Sequence, residues 1–210
     1  MANLHRVKVH CEEVHFGVVE VERVFSRRKK MDEKIKRLNR ELKFQGTILD
    51  FYQDTMLIDN KNEATWDYVA HRHNGGAAIV PVMKDGRILM TSQYRNAVDR
   101  ISLEVPAGAF EADETGIVCA TRELEEETGY RSENVEYLCT LHSLVAFCNE
   151  KIEVYVAHDL IPTQQHLDED EFIDLKAYTM DELKEMIFKG EITDAKTVSA
   201  LMAYAVKYRI

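Results

Sequence analysis

The sequence predicts an α/β chain of the α+β type, in which sheet elements surround one acidic helix and two more helices close the carboxyl end. Three observations carry this. Apolar runs of strand length recur between residues 47 and 157, a stretch near 115–128 interrupts them with helical spacing, and that spacing returns after Thr179. Residues 1–43 read as an amino-terminal extension of strands and a basic helix, and 44–210 as the main domain. With 210 residues, 45% of them hydrophobic, the chain can bury one sizeable core and carry a small appendage.

The elements follow in order. Val7 and Val9, then Val19, Val21 and Val24, suggest one or two strands. Residues 26–43 are dense in Lys and Arg, with Met31, Ile35, Leu38 and Leu42 at spacings of three and four, which reads as an amphipathic helix whose basic face meets solvent or a partner. Residues 47–52, 56–58 and 65–71 look extended, with Asp59-Asn60-Lys61-Asn62 supplying a turn. The run 77–82 is a buried strand, Lys84-Asp85-Gly86-Arg87 a hairpin turn, and 88–93 the returning strand. A strand at 101–105, the helix near 115–128, and strands at 135–141 and 152–157 complete the middle. Thr179-Met180-Asp181-Glu182 has the form of a capping box for a helix that should stop at Gly190. A last helix over 194–208 carries Val198, Leu201, Met202 and Ala205 on one stripe, so both read as core-packing helices.

Composition narrows the function. A net charge of −10 argues against general affinity for nucleic acid or a membrane surface, since both are bound through excess Lys and Arg. No apolar run approaches the roughly 20 residues that cross a bilayer, and the amino terminus lacks the layout of a signal peptide, so a cytoplasmic protein is expected. Cys11, Cys119, Cys139 and Cys148 form no C-x-x-C pair, which speaks against structural zinc and fits reduced thiols.

The chemistry concentrates between Gly108 and Tyr130. On a helix Glu123, Glu126 and Glu127 stand at i, i+3 and i+4 and share one face, where like charges cost about 0.2–0.5 kcal/mol per pair. Something cationic belongs there. Magnesium is held by a few carboxylates together with water and substrate phosphates, and such an ion offsets charge developing on a pyrophosphate. Ile117, Ala120 and Leu124 form the opposite stripe, which should seat the helix on the sheet and turn the acidic face outward to a cleft. Asp113 is the expected cap, Glu114 lies well placed for the helix dipole, and Gly129 suits the left-handed position that ends the helix. The competing reading, a solvated acidic face, does not account for the fixed positions around it: Gly108, Glu114, Arg122-Glu123-Leu124, Glu126-Glu127, Gly129 and Tyr130.

At these residues the chain resembles the Nudix hydrolases, whose box is Gly-x5-Glu-x7-Arg-Glu-U-x-Glu-Glu-x-Gly-U, with U apolar. Tyr130 stands where an aliphatic side chain is commoner. The resemblance implies a Nudix-like α/β/α sandwich of mixed sheet, with Glu123 and Glu127 as metal ligands, Glu126 as ligand or base, and Arg122 orienting the glutamates. It extends through Ser92-Gln93-Tyr94-Arg95, Leu103-Glu104-Val105-Pro106-Ala107-Gly108 and 190–197, which look like the ADP-ribose pyrophosphatase branch. That branch implies hydrolysis of ADP-ribose to AMP and ribose 5-phosphate with magnesium, or manganese in its place, by a homodimer paired through amino-terminal strands. By the same resemblance Arg95 grips phosphate, Glu104 and Gly108 belong to the substrate site, and the Ala107 carbonyl reaches a metal. Trp66 stands where relatives stack a ring on adenine, although a lone Trp commonly just packs. Residues 143–150 lack the Pro and Gly usual in the following loop; Glu150 still suits the role of proton acceptor from water, with Glu126 or Glu153 as alternatives. Another nucleotide sugar or a dinucleotide is the alternative substrate, and a non-catalytic nucleotide-sensing module is the reading from another class.

Overall fold

The computed structural model describes residues 34–167 and 172–210. Contacts divide the chain into two compact units, one comprising Leu42–Tyr52 and Asp67–Ile210, the other, within the described residues, 34–41 and Gln53–Trp66. Three long strands, β1 (Ile35–Gln45), β2 (Leu49–Ile58) and β3 (Asn62–His71), form a sheet in that order. Asp59 and Asn60, at φ 52° and 56°, turn β2 into β3 where the turn was expected, in the left-handed conformation that matches strand twist. The expected basic helix over 26–43 is corrected: its described part is strand, and residues 26–33 lie outside the described residues, as do the strands suggested near Val7 and Val19. The misreading has a simple cause. A spacing of four is even, so Leu38 and Leu42, joined by Phe44, also share one face of a strand, and pairing with β2 supplies the backbone hydrogen bonds. Arg40 holds Asp54 through a fork of 2.7 and 2.6 Å and keeps its carboxyl below the usual range.

The larger unit is built on β4 (Gly75–Pro81), which is buried along its whole length. It lies between β7 (Ala107–Ala109) and β10 (Lys151–His158), parallel to the latter, and β9 (Asn134–His142) completes this mixed sheet. Strand β5 (Ile88–Arg95) pairs instead with β6 (Arg100–Glu104) and β12 (Asp174–Tyr178), and β8 (Tyr130–Arg131) with β11 (Ile161–Pro162). The expected hairpin of β4 with β5 therefore reduces to its turn and one bridge between Val82 and Ile88, because the two strands enter different sheets.

Helices cover both faces. With a side-chain period of two, Ala77 and Ile79 of β4 and Tyr155 and Ala157 of β10 face Cys119, Ala120 and Leu124 of α1 (Gly116–Thr128). Ala78, Val80, Ile152, Val154 and Val156 point the other way, toward Leu183 of α2 (Met180–Phe188) and Ala200, Leu201, Tyr204 and Ala205 of α3 (Ala195–Tyr208). The capping box at Thr179 is formed, and Gly190, at φ 75°, follows the end of α2. At the start of α3 the Asp194 side chain accepts the Thr197 amide, while the Thr197 hydroxyl accepts the amide of Val105 at 3.1 Å, which ties this helix end to the end of β6. Three helices are thus present among the described residues, none of them long and apolar enough to cross a membrane.

Candidate active site

The site begins with how α1 is set down. Its N-cap is Thr115, in extended conformation and without a side-chain cap; the expected cap Asp113 instead occupies a left-handed turn before the helix. Glu114, before the cap rather than in the first turn, accepts the Glu111 amide at 3.0 Å. Gly129, at φ 66°, ends the helix as expected. Cys119, Ala120 and Leu124 are fully buried, whereas Ile117, expected on that stripe, is 45% exposed. Consequently the acidic face is not simply turned outward. Glu123 and Glu127 are buried beneath β7, where the Ala107 amide donates to Glu127 Oε2 at 3.3 Å, and Glu126 alone of the three stays partly accessible.

Gly108 makes that close approach possible. A Cβ there would lie 1.8 Å from Glu123 Oε1. Gly108→Ala is therefore expected to displace the Glu123 carboxylate or β7 and to lower turnover about tenfold or more, a cost typical of misplacing a reacting geometry; steady-state kinetics checks this, and wild-type rates would refute it.

Arg122 answers part of the demand for positive charge on this helix. Its Nε and Nη2 hold Glu114 at 2.9 and 3.0 Å, and its Nη1 holds Glu123 at 2.6 Å and Glu126 at 2.9 Å. The Glu114 hydrogen bond foremost, and then the charges of Glu123 and Glu126, raise the guanidinium pKa far above its ordinary value against the opposing effect of burial. The same contact holds the Glu114 carboxyl below the usual range. One guanidinium thus serves three carboxylates, Glu114, Glu123 and Glu126. The donors are oxygens only, the chemistry suited to a hard divalent cation completed by water and phosphate. No group of three His, Cys, Asp or Glu is already convergent on an ion among the described residues, and Glu123 and Glu126 are turned to Arg122.

Beyond β7 opens a cleft of about 520 Å³, lined by Arg95, Glu104, Ala107, Gly108, Glu150 and Lys196 among others. Of the predicted metal ligands only Ala107 lines it; Glu123 and Glu127 adjoin it through Gly108 and Ala107. Glu104 is 2% exposed. Arg95 grips it as a fork at 2.9 and 2.7 Å, and Lys196, itself 3.0 Å from Asp194, also bonds to it. Burial alone would raise the Glu104 pKa, but the Arg95 hydrogen bond and the Lys196 charge outweigh it and hold it at about 2. Glu150 lines the same cleft, with the Ser143 hydroxyl bonded to it and His71 Nε2 at 4.0 Å. Glu153, one of the alternatives to it, is not brought there. On β10 it points to the opposite face, bonded to Lys151 at 2.8 Å and the Tyr155 hydroxyl at 2.9 Å, in a separate hollow by the start of α1. Trp66 belongs to the smaller unit, on β3, 46% exposed.

A NUDIX domain model matches residues 72–201. The chain belongs to the Nudix family. It is 31% identical over 175 residues to an ADP-ribose pyrophosphatase of Bacillus subtilis, covering 82% of this chain and 91% of the relative. It is 36% identical over 168 residues to a methanol dehydrogenase activator of Bacillus methanolicus, covering 79% and 90%. A crystal structure of an ADP compounds hydrolase shares the fold with a TM-score of 0.75 at 20% identity, over 84% of this chain and 95% of that one. Nudix hydrolases generally use divalent metal ions. In this Nudix hydrolase the cleft also holds Lys196 and His71, to which the sequence assigns no role. Lys196 lies within the 190–197 stretch that carries the wider resemblance, so a signal existed, whereas His71 has no local signal at all.

Proposed function

We propose that the enzyme hydrolyses the pyrophosphate bond of ADP-ribose to AMP and ribose 5-phosphate, with magnesium as the working ion and manganese as its substitute. The observation that carries this reading is the packing of the box glutamates beneath Ala107 and Gly108, whose other side walls the cleft that holds Arg95 and Glu150. Glu123 and Glu127, with the Ala107 carbonyl, would hold the ion, Glu126 would add a ligand or act as base, and Arg122 sets their directions. A bound divalent ion supplies charge neutralisation on the diphosphate and eases deprotonation of water. Arg95, fixed by Glu104, offers its remaining edge to phosphate oxygen. Glu150 takes a proton from the water that attacks phosphorus, the bridging P–O bond breaks, and the pair of electrons leaves with the departing phosphate.

A second reading keeps this chemistry and changes the substrate to another nucleotide sugar or a dinucleotide. It is favoured by Ser143-Leu144-Val145-Ala146, which replaces the Pro- and Gly-containing turn of the ADP-ribose branch. One panel separates the two: purified protein, magnesium, ADP-ribose, other nucleotide sugars and dinucleotides, with product chromatography. ADP-ribose is expected to turn over fastest, yielding AMP. Turnover of the others without ADP-ribose would remove the first reading, and no magnesium-dependent turnover at all would leave the sensing module.

We also propose a homodimer, supported by the exposed apolar residues Phe44, Ile48 and Leu49. Light scattering tests it. A cytoplasmic location is supported by free thiols at Cys119, Cys139 and Cys148.

A further inference from the structure

His71, at the end of β3, is buried beside the cleft, and its two ring nitrogens have different neighbours. Nδ1 accepts the amide of Gly75 at 3.1 Å. Gly75 is held in place because its backbone, at φ +120°, passes so near Lys151 that a Cβ would lie 1.8 Å from that residue's carbonyl oxygen. A nitrogen that accepts an N–H cannot itself carry a proton, so the ring is neutral and its single proton sits on Nε2. Nε2 faces Glu150 Oε1 at 4.0 Å. That is looser than a hydrogen bond, as catalytic contacts commonly are before substrate binds. Burial, the largest influence, lowers the His71 pKa, as does His73, against the opposing charge of Glu150.

The backbone around the pair is fixed as well. The His71 amide donates to Asn149 Oδ1 at 2.7 Å, and the Asn149 side-chain amide donates to Asn74 Oδ1 at 3.0 Å. The Val69 amide donates to the Phe147 carbonyl at 2.7 Å. The loop that carries Glu150 is thus stitched to the end of β3. Its carboxylate meets the Ser143 hydroxyl on Oε2 and faces the His71 proton from Oε1, and each oxygen keeps a further lone pair.

We propose that His71 is a positioning residue for Glu150, a neutral imidazole whose Nε2–H fixes the direction of the carboxylate that accepts the proton of water. Neutrality matters, because an imidazolium at this place would form an ion pair and weaken Glu150 as a base, whereas a neutral donor aligns it. The inference rests on the reading of Glu150 as base given above.

The test is a double-mutant cycle in kcat and KM, using the fastest substrate of the panel and magnesium. His71→Phe is expected to lower kcat about ten- to a hundredfold with KM nearly unchanged, the range seen when a supporting contact to an active group is lost. His71→Gln, which keeps a donor near the Nε2 position, should recover most of that loss and carries the test should His71→Phe fold poorly. In a Glu150→Gln background, His71→Phe should lower kcat no further. The proposal is overturned by an equal loss in that background, by a loss confined to KM, or by a Gln variant as slow as the Phe variant. Near-normal turnover of Glu150→Gln alone would instead remove Glu150 as base, and with it the task assigned to His71.

Discussion

Glu126→Gln is expected to lower kcat by at least about a hundredfold while leaving the thermal unfolding midpoint nearly unchanged, the scale associated with losing a positioned metal or acid–base group. The two halves of this expectation have separate causes. Glu126 is the box glutamate with an exposed side chain, 42%, so an amide there buries no new polar group. Its contact with Arg122 at 2.9 Å is one of several, and Arg122 keeps Glu114 and Glu123. Stability should therefore hold. Catalysis should not, because an amide is uncharged, a weaker ligand for a hard cation and no base at neutral pH. Near-normal kcat in this variant, measured with magnesium in excess, would remove the glutamate face from the chemistry.

The contrast between Glu126 and its neighbours also shows where local pattern stops informing. Helical pitch in the sequence places Glu123, Glu126 and Glu127 on one side of α1, and that side is where they are found. What spacing does not contain is the depth of Glu123 and Glu127. That depends on β7 packing over the helix, which Gly108 permits. The buried strand β4 is legible because both its faces are apolar, but which strands flank it is not, since neither the antiparallel pairing of Gly76 with Ala109 nor the parallel pairing of Gly75 with Lys151 leaves a local mark. Strand β1 is ambiguous in sequence, because a spacing of four serves helix and strand alike. The cleft follows the same division. Arg95, Glu104 and Glu150 stand out as residue types in motifs, whereas the pairings that set their charge and direction join Glu104 to Lys196, 92 residues on, and Glu150 to His71. Only the folded chain brings these groups together.

Glu104→Gln is expected to cost about 3–5 kcal/mol of folding stability at neutral pH, the range for breaking a buried ion pair from one side. The carboxylate is 2% exposed and serves two cations, Arg95 and Lys196. An amide of the same shape cannot offset either charge, and Asp194 bonds to Lys196 at 3.0 Å and meets Arg95 only through space. The pH dependence follows from the direction of the shift. The folded Glu104 pKa, at about 2, lies below the ordinary 4.5, so the folded state favours the ionised form. Its contribution is complete above about pH 4.5, declines as pH falls because the unfolded chain takes up the proton first, and is gone below about pH 2. Urea unfolding of wild type and Glu104→Gln should therefore show a gap that is constant from pH 7 to 5 and narrows toward pH 3. A gap under about 1 kcal/mol at pH 7 would mean that the two cations are solvated without their carboxylate. A gap that stays constant down to pH 3 would mean that Glu104 titrates normally in the folded protein, and the fork on Arg95 would then lose its role in presenting that guanidinium to phosphate.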